Sequence, residues 1–307
     1  MLTNREGSLG SVIRGAGNEQ PSRSLRLPWP AEWPTRPKLW MVLGFLVLSA
    51  FAIGFAGLAM AAYGYGDHGS MVYFGGVAAL LALLVSGWAP ILRVRRRWSP
   101  QAVKSHTGDA GERGVCIPYS AWWYAWLVAL MSTTGTLFGA VVLSALFGGN
   151  VAGSRTAVGV LLGVVVVPFC GWFLFQVARG RVARGRVVMT PSGVSHRNLL
   201  FEEFVPWGSI RRISAVYENG PVISLSVAPS QRQLIKGKVP RGVYRFGDLK
   251  IPGRALSVDV ATVLHALTYY WARREARPEL GSDAALHRIR AGSLGPYNAH
   301  RGSVFHA

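Results

Sequence analysis

The sequence predicts a membrane protein of the α-helical class: four transmembrane helices in two hairpins, carrying a cytoplasmic α+β domain of antiparallel strands with one C-terminal helix. Three observations predict it. Four apolar runs, about 39–63, 71–92, 121–147 and 156–178, contain no Asp, Glu, Lys, Arg or His. The formal charge of +19 is unevenly placed: +3 over residues 1–38, +4 over 93–120 and +12 over 179–307, while the two short connections between runs hold only Asp67 and Arg155. Beyond Arg184 the apolar period changes from helical to two.

The fourth run sets the frame. Roughly 22 apolar residues at ~1.5 Å each span a hydrocarbon core of ~30 Å. Arg179, Arg181, Arg184 and Arg186 then follow. Arginines enter that core only at high cost, so they mark where the membrane ends and on which side. Basic charge alternating with the passes places both termini in the cytoplasm by the positive-inside rule, with the inner (plasma) membrane as the expected location. Only 15% of the chain is charged and half is hydrophobic, which argues against a soluble globular protein. The pI near 11 is not accompanied by zinc spacing, a basic zipper or an RNA-binding aromatic signature, so no nucleic-acid partner is expected.

Taken in order, residues 1–38 are polar and Pro-rich, with no apolar core of the kind a secretory signal needs. They are expected to be retained, cytoplasmic and disordered. Trp29 and Trp33, with Trp40 at the start of the first run, suit an interfacial collar; a PxxP-type ligand over 28–37 is the alternative. Hairpin 1 covers 39–92 and hairpin 2 covers 121–178, with Gly-rich tips outside. Small residues at i, i+4, i+7 spacing predict packing faces, since close approach drives helix association in lipid: Ala50, Gly54, Gly57 and Ala61, then Gly75, Ala79, Ala82 and Ser86. Ala125, Ala129, Ser132, Thr136 and Gly139 offer a third face, and Gly159 and Gly163 a fourth. Pro168 is expected to kink or loosen the last helix. The hydroxyl cluster Ser132, Thr133, Thr134 and Thr136 could line a polar route, which keeps a small-molecule transporter or pore with a regulatory domain as the alternative function. Hydroxyls bonding back to helix carbonyls explain it equally.

Residues 93–120 are polar and Gly-bearing and are expected to form a cytoplasmic loop. His106, Asp109, Glu112 and Cys116 fall at no familiar metal-ligand spacing. Cys116 and Cys170 form no CxxC pair and are expected to be inert thiols. Neither metal nor cofactor is expected.

The cytoplasmic domain is expected over 182–280. Short strands are predicted at 186–190, 193–197, 201–205, 210–216, 222–228 and 242–246, separated by Pro, Gly and Asn turns. A helix follows, capped by Ser257 with Asp259 in its first turn, its apolar face formed by Val260, Val263, Leu264, Leu267, Tyr270 and Trp271, and stopped by Pro278. Residues 281–307 are expected to be a short helix and a disordered tail.

The run RVVMTPSGVSHRNLLFEEFVPWGSIRRISA resembles the bacterial pleckstrin-homology-like (PH-like) domains attached to membrane helices, in their actinobacterial form. An apolar strand ends in Thr, a Gly turn and second strand follow, and then Val205, Pro206, Trp207, Ile210 and Ile213. Tyr269-Tyr270 and Arg277-Pro278-Glu279-Leu280 fit the end of such a domain. The resemblance implies a binding or scaffolding domain rather than an enzyme. Its first hairpin turn, Thr190-Pro191-Ser192-Gly193, holds no basic residue, so no phosphoinositide ligand is carried over. Trp207 and Ile210 are expected in the core.

Catalytic signatures (GxSxG, a Walker lysine, HExxH, GxGxxG opening a helix) are missing from the chain. The binding candidates are Arg232, Lys236, Lys238 and Arg241, basic residues of one loop with no acid among them. Beside an anionic leaflet each could contribute about 1 kcal/mol. Arg211 and Arg212 could add to this patch, though period two places one of them on the opposite face. The expected partners are the bilayer, anionic headgroups and a protein.

Overall fold

The computed structural model describes residues 27–92, 99–107, 111–147, 154–227, 233–236 and 248–294. Four helices are long and apolar enough to cross a membrane: α1 (Leu39–Gly64), α2 (His68–Leu92), α3 (Ala121–Phe147) and α4 (Ser154–Ala178). In lipid each backbone group must be satisfied within its own segment, which these sequences achieve as continuous helices. Pro90 and Pro168 lie inside helices that continue past them. At the tip of the first hairpin the Asp67 carboxylate accepts the Ser70 N–H at 3.0 Å, closing the first turn of α2.

The helices pack in chain order, α1 on α2, α2 on α3 and α3 on α4. Small residues set these contacts, though not all of those expected. Gly159 and Gly163 lie against Val141 and Val142 of α3, and Gly135 against Cys170. Gly75 faces Ala59, and Gly44 takes the ring of Trp88. Gly87 leaves room for the Trp126 ring, whose indole N–H donates to the Leu83 carbonyl at 2.7 Å. By contrast, Ala50, Gly54, Gly57 and Ala61 lie on the exposed side of α1, with nothing within 4 Å of a Cβ added at Gly54 or Gly57. Ala79 and Ala82 are exposed as well, and Ser86 donates to its own helix at Leu83 O. Spacing gives a stripe but not its direction; here large residues, Trp88 and Trp126, choose the contacting faces.

Two antiparallel sheets follow. The first has six strands in the order β1 (Lys104–Thr107), β2 (Arg113–Pro118), β3 (Arg186–Met189), β4 (Gly193–Arg197), β5 (Glu202–Pro206) and β8 (Gln233–Lys236). The second has three, β6 (Ile210–Tyr217), β7 (Pro221–Val227) and β9 (Asp248–Pro252). One core joins them, filled by Val115, Ile117, Val187, Met189, Val194 and Val205 from the first sheet and Ile213, Ile223, Leu225, Leu249 and Ile251 from the second. The helix α5 (Val260–Ala272) packs on β6 and β7. A 3₁₀ segment (Arg274–Gly281) and α6 (Asp283–Ala291) complete the module. The Gly292 left-handed cap closes α6.

Three expectations require correction. Residues 99–120 are not a loop: β1 and β2 form a hairpin that extends the sheet, with Val115 and Ile117 buried in the core. Three glycines and Pro118 mask the strand pattern; Gly114 is needed because a Cβ there would meet Met189 O at 2.6 Å. The second correction concerns Trp33, which is 2% exposed and lies in the core, not in the headgroup zone. Its indole N–H donates to Val216 O at 2.9 Å, Trp29 donates to Trp33 O at 3.0 Å, and Pro28 O lies 3.0 Å from His265 Nε2. Residues 27–34 are therefore a strap that reaches α5 at His265, on the side opposite its expected apolar face, where Ala261, Thr262 and Ala266 are also buried. The third is the N-cap of α5, which is Asp259 rather than Ser257. Two strands not expected from the sequence, β8 and β9, are also present, while the strand predicted at 242–246 lies outside the described residues.

Candidate binding surface of the sheet module

Two ends of the module differ in what they touch. At one end the sheets meet the membrane helices. Tyr119 N–H donates to Gly185 O at 2.8 Å, Ser120 N–H to Ala255 O at 2.6 Å, and the Tyr124 hydroxyl to Val182 O at 3.1 Å. The Arg184 guanidinium donates to Tyr119 O. These bonds weld the start of α3 and the end of α4 to β2 and β3. Lys38, just before α1, lies 5.1 Å from the centre of the Tyr217 ring, and Arg254 reaches Met41 Sδ at 3.8 Å, so the β6–β7 turn meets the start of α1.

Across this near end the sheet register aligns Pro118, Arg186, Arg197, Glu202 and Lys236 on successive strands. Glu202 is 5% exposed; it pairs with Arg186 at 3.2 Å and accepts from Ser195 Oγ at 3.1 Å. Beyond the end of α4, Arg179 lies 4.4 Å from the centre of the Phe175 ring, and Arg181 and Arg184 are exposed. The near end is therefore a rim rich in basic residues, with Glu202 and Glu203 buried beside them and Glu218 paired with Lys250 at the β6–β7 turn. The four arginines after the last span mark it in the sequence, but Arg197 joins them only through strand pairing.

Of the six basic residues proposed from sequence, three fall among the described residues: Lys236, Arg211 and Arg212. Lys236 lies at the near end, opposite Glu202. Arg211 and Arg212 begin β6, whose last residue, Tyr217, is the one beneath Lys38, so the pair sits at the far end of the strand, about 16–20 Å along it. Arg232, Lys238 and Arg241 lie outside the described residues. Nor does period two place Arg211 and Arg212 on opposite faces. The register pairs Ile210 with Val227 and Arg212 with Ser226, a β-bulge that gives β6 one extra residue and leaves both arginines exposed.

The turn Thr190–Gly193 carries a carboxylate: Glu112 accepts from Ser192 N at 3.1 Å and from Ser192 Oγ. A negative group clamped there opposes phosphate binding at this turn. Trp207 is buried, donates to Thr190 O at 2.8 Å and stacks under Arg277, whose guanidinium also caps the α5 carbonyls of Tyr270 and Trp271 at 2.9 and 3.0 Å. Arg288 pairs with both oxygens of Glu279 at 2.8 and 3.1 Å. Arg277 and Glu279 thus hold the C-terminal segment in place.

Burial pushes the Cys116 thiol above its ordinary range, and does the same to the Tyr119 phenol, whose hydroxyl lies 2.6 Å from His196 Nε2. Among the described residues no three of His, Cys, Asp and Glu gather as a metal ion would require.

The fold and its contacts define a class: a multi-pass membrane protein bearing a two-sheet module tied to its helices. No family model, curated protein or solved structure matches the chain.

Proposed function

We propose that the chain is a four-pass inner-membrane protein, both termini cytoplasmic, whose PH-like module is a binding platform for a protein partner and for anionic lipid. The observation that carries this reading is the division of basic charge between two ends of one module. The near rim, with Arg179, Arg181, Arg184, Arg197 and Lys236, faces the level at which the helices end, where anionic headgroups would lie. Arg211 and Arg212 are about two Debye lengths from that end in physiological salt. A bulge exposes both, which suits an acidic protein surface. The PH-like assignment rests on the motif through Trp207 and Ile213, on two antiparallel sheets around one core, and on the helix that closes it.

The test uses the full chain in nanodiscs. Spin-labelled anionic and neutral lipids report which lipid is enriched at the protein, and a photo-crosslinker at Gly208, exposed just before β6, reports a protein neighbour in native membranes. Enrichment of anionic lipid should fall on joint replacement of Arg179, Arg181 and Lys236 by Glu, while Arg211→Glu with Arg212→Glu should abolish only the crosslink. Unchanged enrichment together with no discrete crosslink would contradict the proposal.

A further inference from the structure

Hairpin tips normally carry Gly, Asn, Asp or Ser, because a tip faces water and its backbone needs unusual angles. Other tips of this module obey that rule: Thr190-Pro191-Ser192-Gly193, Glu218-Asn219-Gly220 and, in sequence, Gly108-Asp109-Ala110-Gly111-Glu112. The β4–β5 tip keeps only Asn198 of that kind, followed by three apolar residues. It reads Asn198-Leu199-Leu200-Phe201, and Leu200 is 50% exposed. The turn is tightly bonded, with Asn198 N–H on Phe201 O at 2.8 Å and Leu199 N–H on Asn198 Oδ1 at 2.7 Å, so its leucine is held outward.

Its position supplies the occupant. Ala183 N–H donates to Leu199 O at 3.3 Å. Ala183 itself follows the end of α4 closely, because Arg181 and Val182 N–H groups both turn back onto Gln176 O at 3.0 and 3.2 Å. The apolar tip is thereby fixed beside the point where the last span leaves the hydrocarbon. Exposed Arg181 and Arg184 flank Ala183 in the chain, half-buried Arg197 directly precedes the turn, and Arg179 lies over Phe175. An exposed leucine next to a chain segment rich in guanidinium groups matches the boundary between acyl chains and phosphates.

We propose that the Leu199–Phe201 tip is a membrane finger, inserted into the headgroup–acyl boundary of the leaflet from which α4 emerges. It fixes the module's orientation against the bilayer. The inference depends on the helices crossing a bilayer, not on the identity of any protein partner or lipid charge, so its failure would leave the binding-platform reading standing.

The experiment places an environment-sensitive fluorophore at Leu200→Cys in the full chain, with Cys116 and Cys170 replaced by Ala, in nanodiscs. Gly208→Cys, on an exposed turn with open space around it, is the control. The Leu200 probe is expected to emit to the blue of the control, to lose most of its fluorescence to brominated acyl chains and to resist aqueous iodide. Iodide quenching equal to the control, with no effect of brominated lipid, would overturn the proposal. A label-free measurement guards against a dye that partitions by itself: Leu200→Asp should raise amide exchange across 198–201 several-fold in nanodiscs. Unchanged exchange would equally overturn it.

Discussion

The indole N–H of Trp33 donates to the carbonyl of Val216 at 2.9 Å across 183 residues of sequence. Between those two residues lie all four membrane helices and the first five strands. The bond therefore closes the module around the membrane domain, so that the strap before α1 becomes part of the core behind α4.

Trp33→Ala should destabilise the module by about 3–5 kcal/mol, the usual cost of removing a buried tryptophan. Trp33→Phe keeps most of the packing but leaves the Val216 carbonyl without this donor, at about 1 kcal/mol. Thermal unfolding of the full chain in nanodiscs, followed by near-ultraviolet circular dichroism, would show the two losses in that order.

A fragment of residues 181–307 should not fold on its own. It lacks β1, β2 and Trp33, which exposes the paired edge of β3 and the face of α5 beneath the strap. The expected result is no cooperative thermal transition. A sharp transition with dispersed amide resonances would show that 182–280 is an autonomous domain after all.

Alkaline pH should destabilise the module. Cys116 and Tyr119 are kept protonated in the folded state by burial, with ordinary values of 9.0 and 10.0. Where the folded pKa is raised, the unfolded chain releases its proton first as pH rises, so the stability is fully present below about pH 9 and lost above it. Unfolding midpoints should be flat from pH 7 to about 9 and fall beyond, and Tyr119→Phe should make the fall shallower.

Helix packing offers a paired substitution. Gly87→Val would drive a side chain into the Trp126 ring and separate α2 from α3, costing about 1–3 kcal/mol. Gly54→Val projects from the open side of α1 and should leave the fold unchanged within the same assay.

The sequence made the membrane helices and the strand run 186–227 legible for a simple reason. Both have a strong period, one uniformly apolar over many residues, the other alternating between turns. What escaped was tertiary. β2 has only Val115, Cys116 and Ile117 as consecutive apolar residues, and Trp33 is surrounded by prolines, so neither carries a periodic signal; each is buried by partners far away in sequence. The basic residues are a separate case: Arg232, Lys238 and Arg241 lie outside the described residues, and only the register and its bulge reveal that Arg211 and Arg212 share an exposure. The Leu199-Leu200-Phe201 tip is not singled out by the sequence, where Phe201 reads as the start of a strand; the bond between Ala183 and Leu199 places it beside the end of α4.

The most direct test of the account is a map of sides. Single cysteines at Glu32→Cys, Tyr65→Cys and Gly208→Cys, in full-length protein with Cys116 and Cys170 replaced by Ala, would be labelled with a membrane-impermeant maleimide in intact cells and in inverted vesicles. The account predicts that Tyr65, at the tip of the first hairpin, reacts in intact cells, while Glu32 and Gly208 react only in inverted vesicles. Labelling of Glu32 and Gly208 from opposite sides would contradict it, because the strap and the sheets could then not share one core.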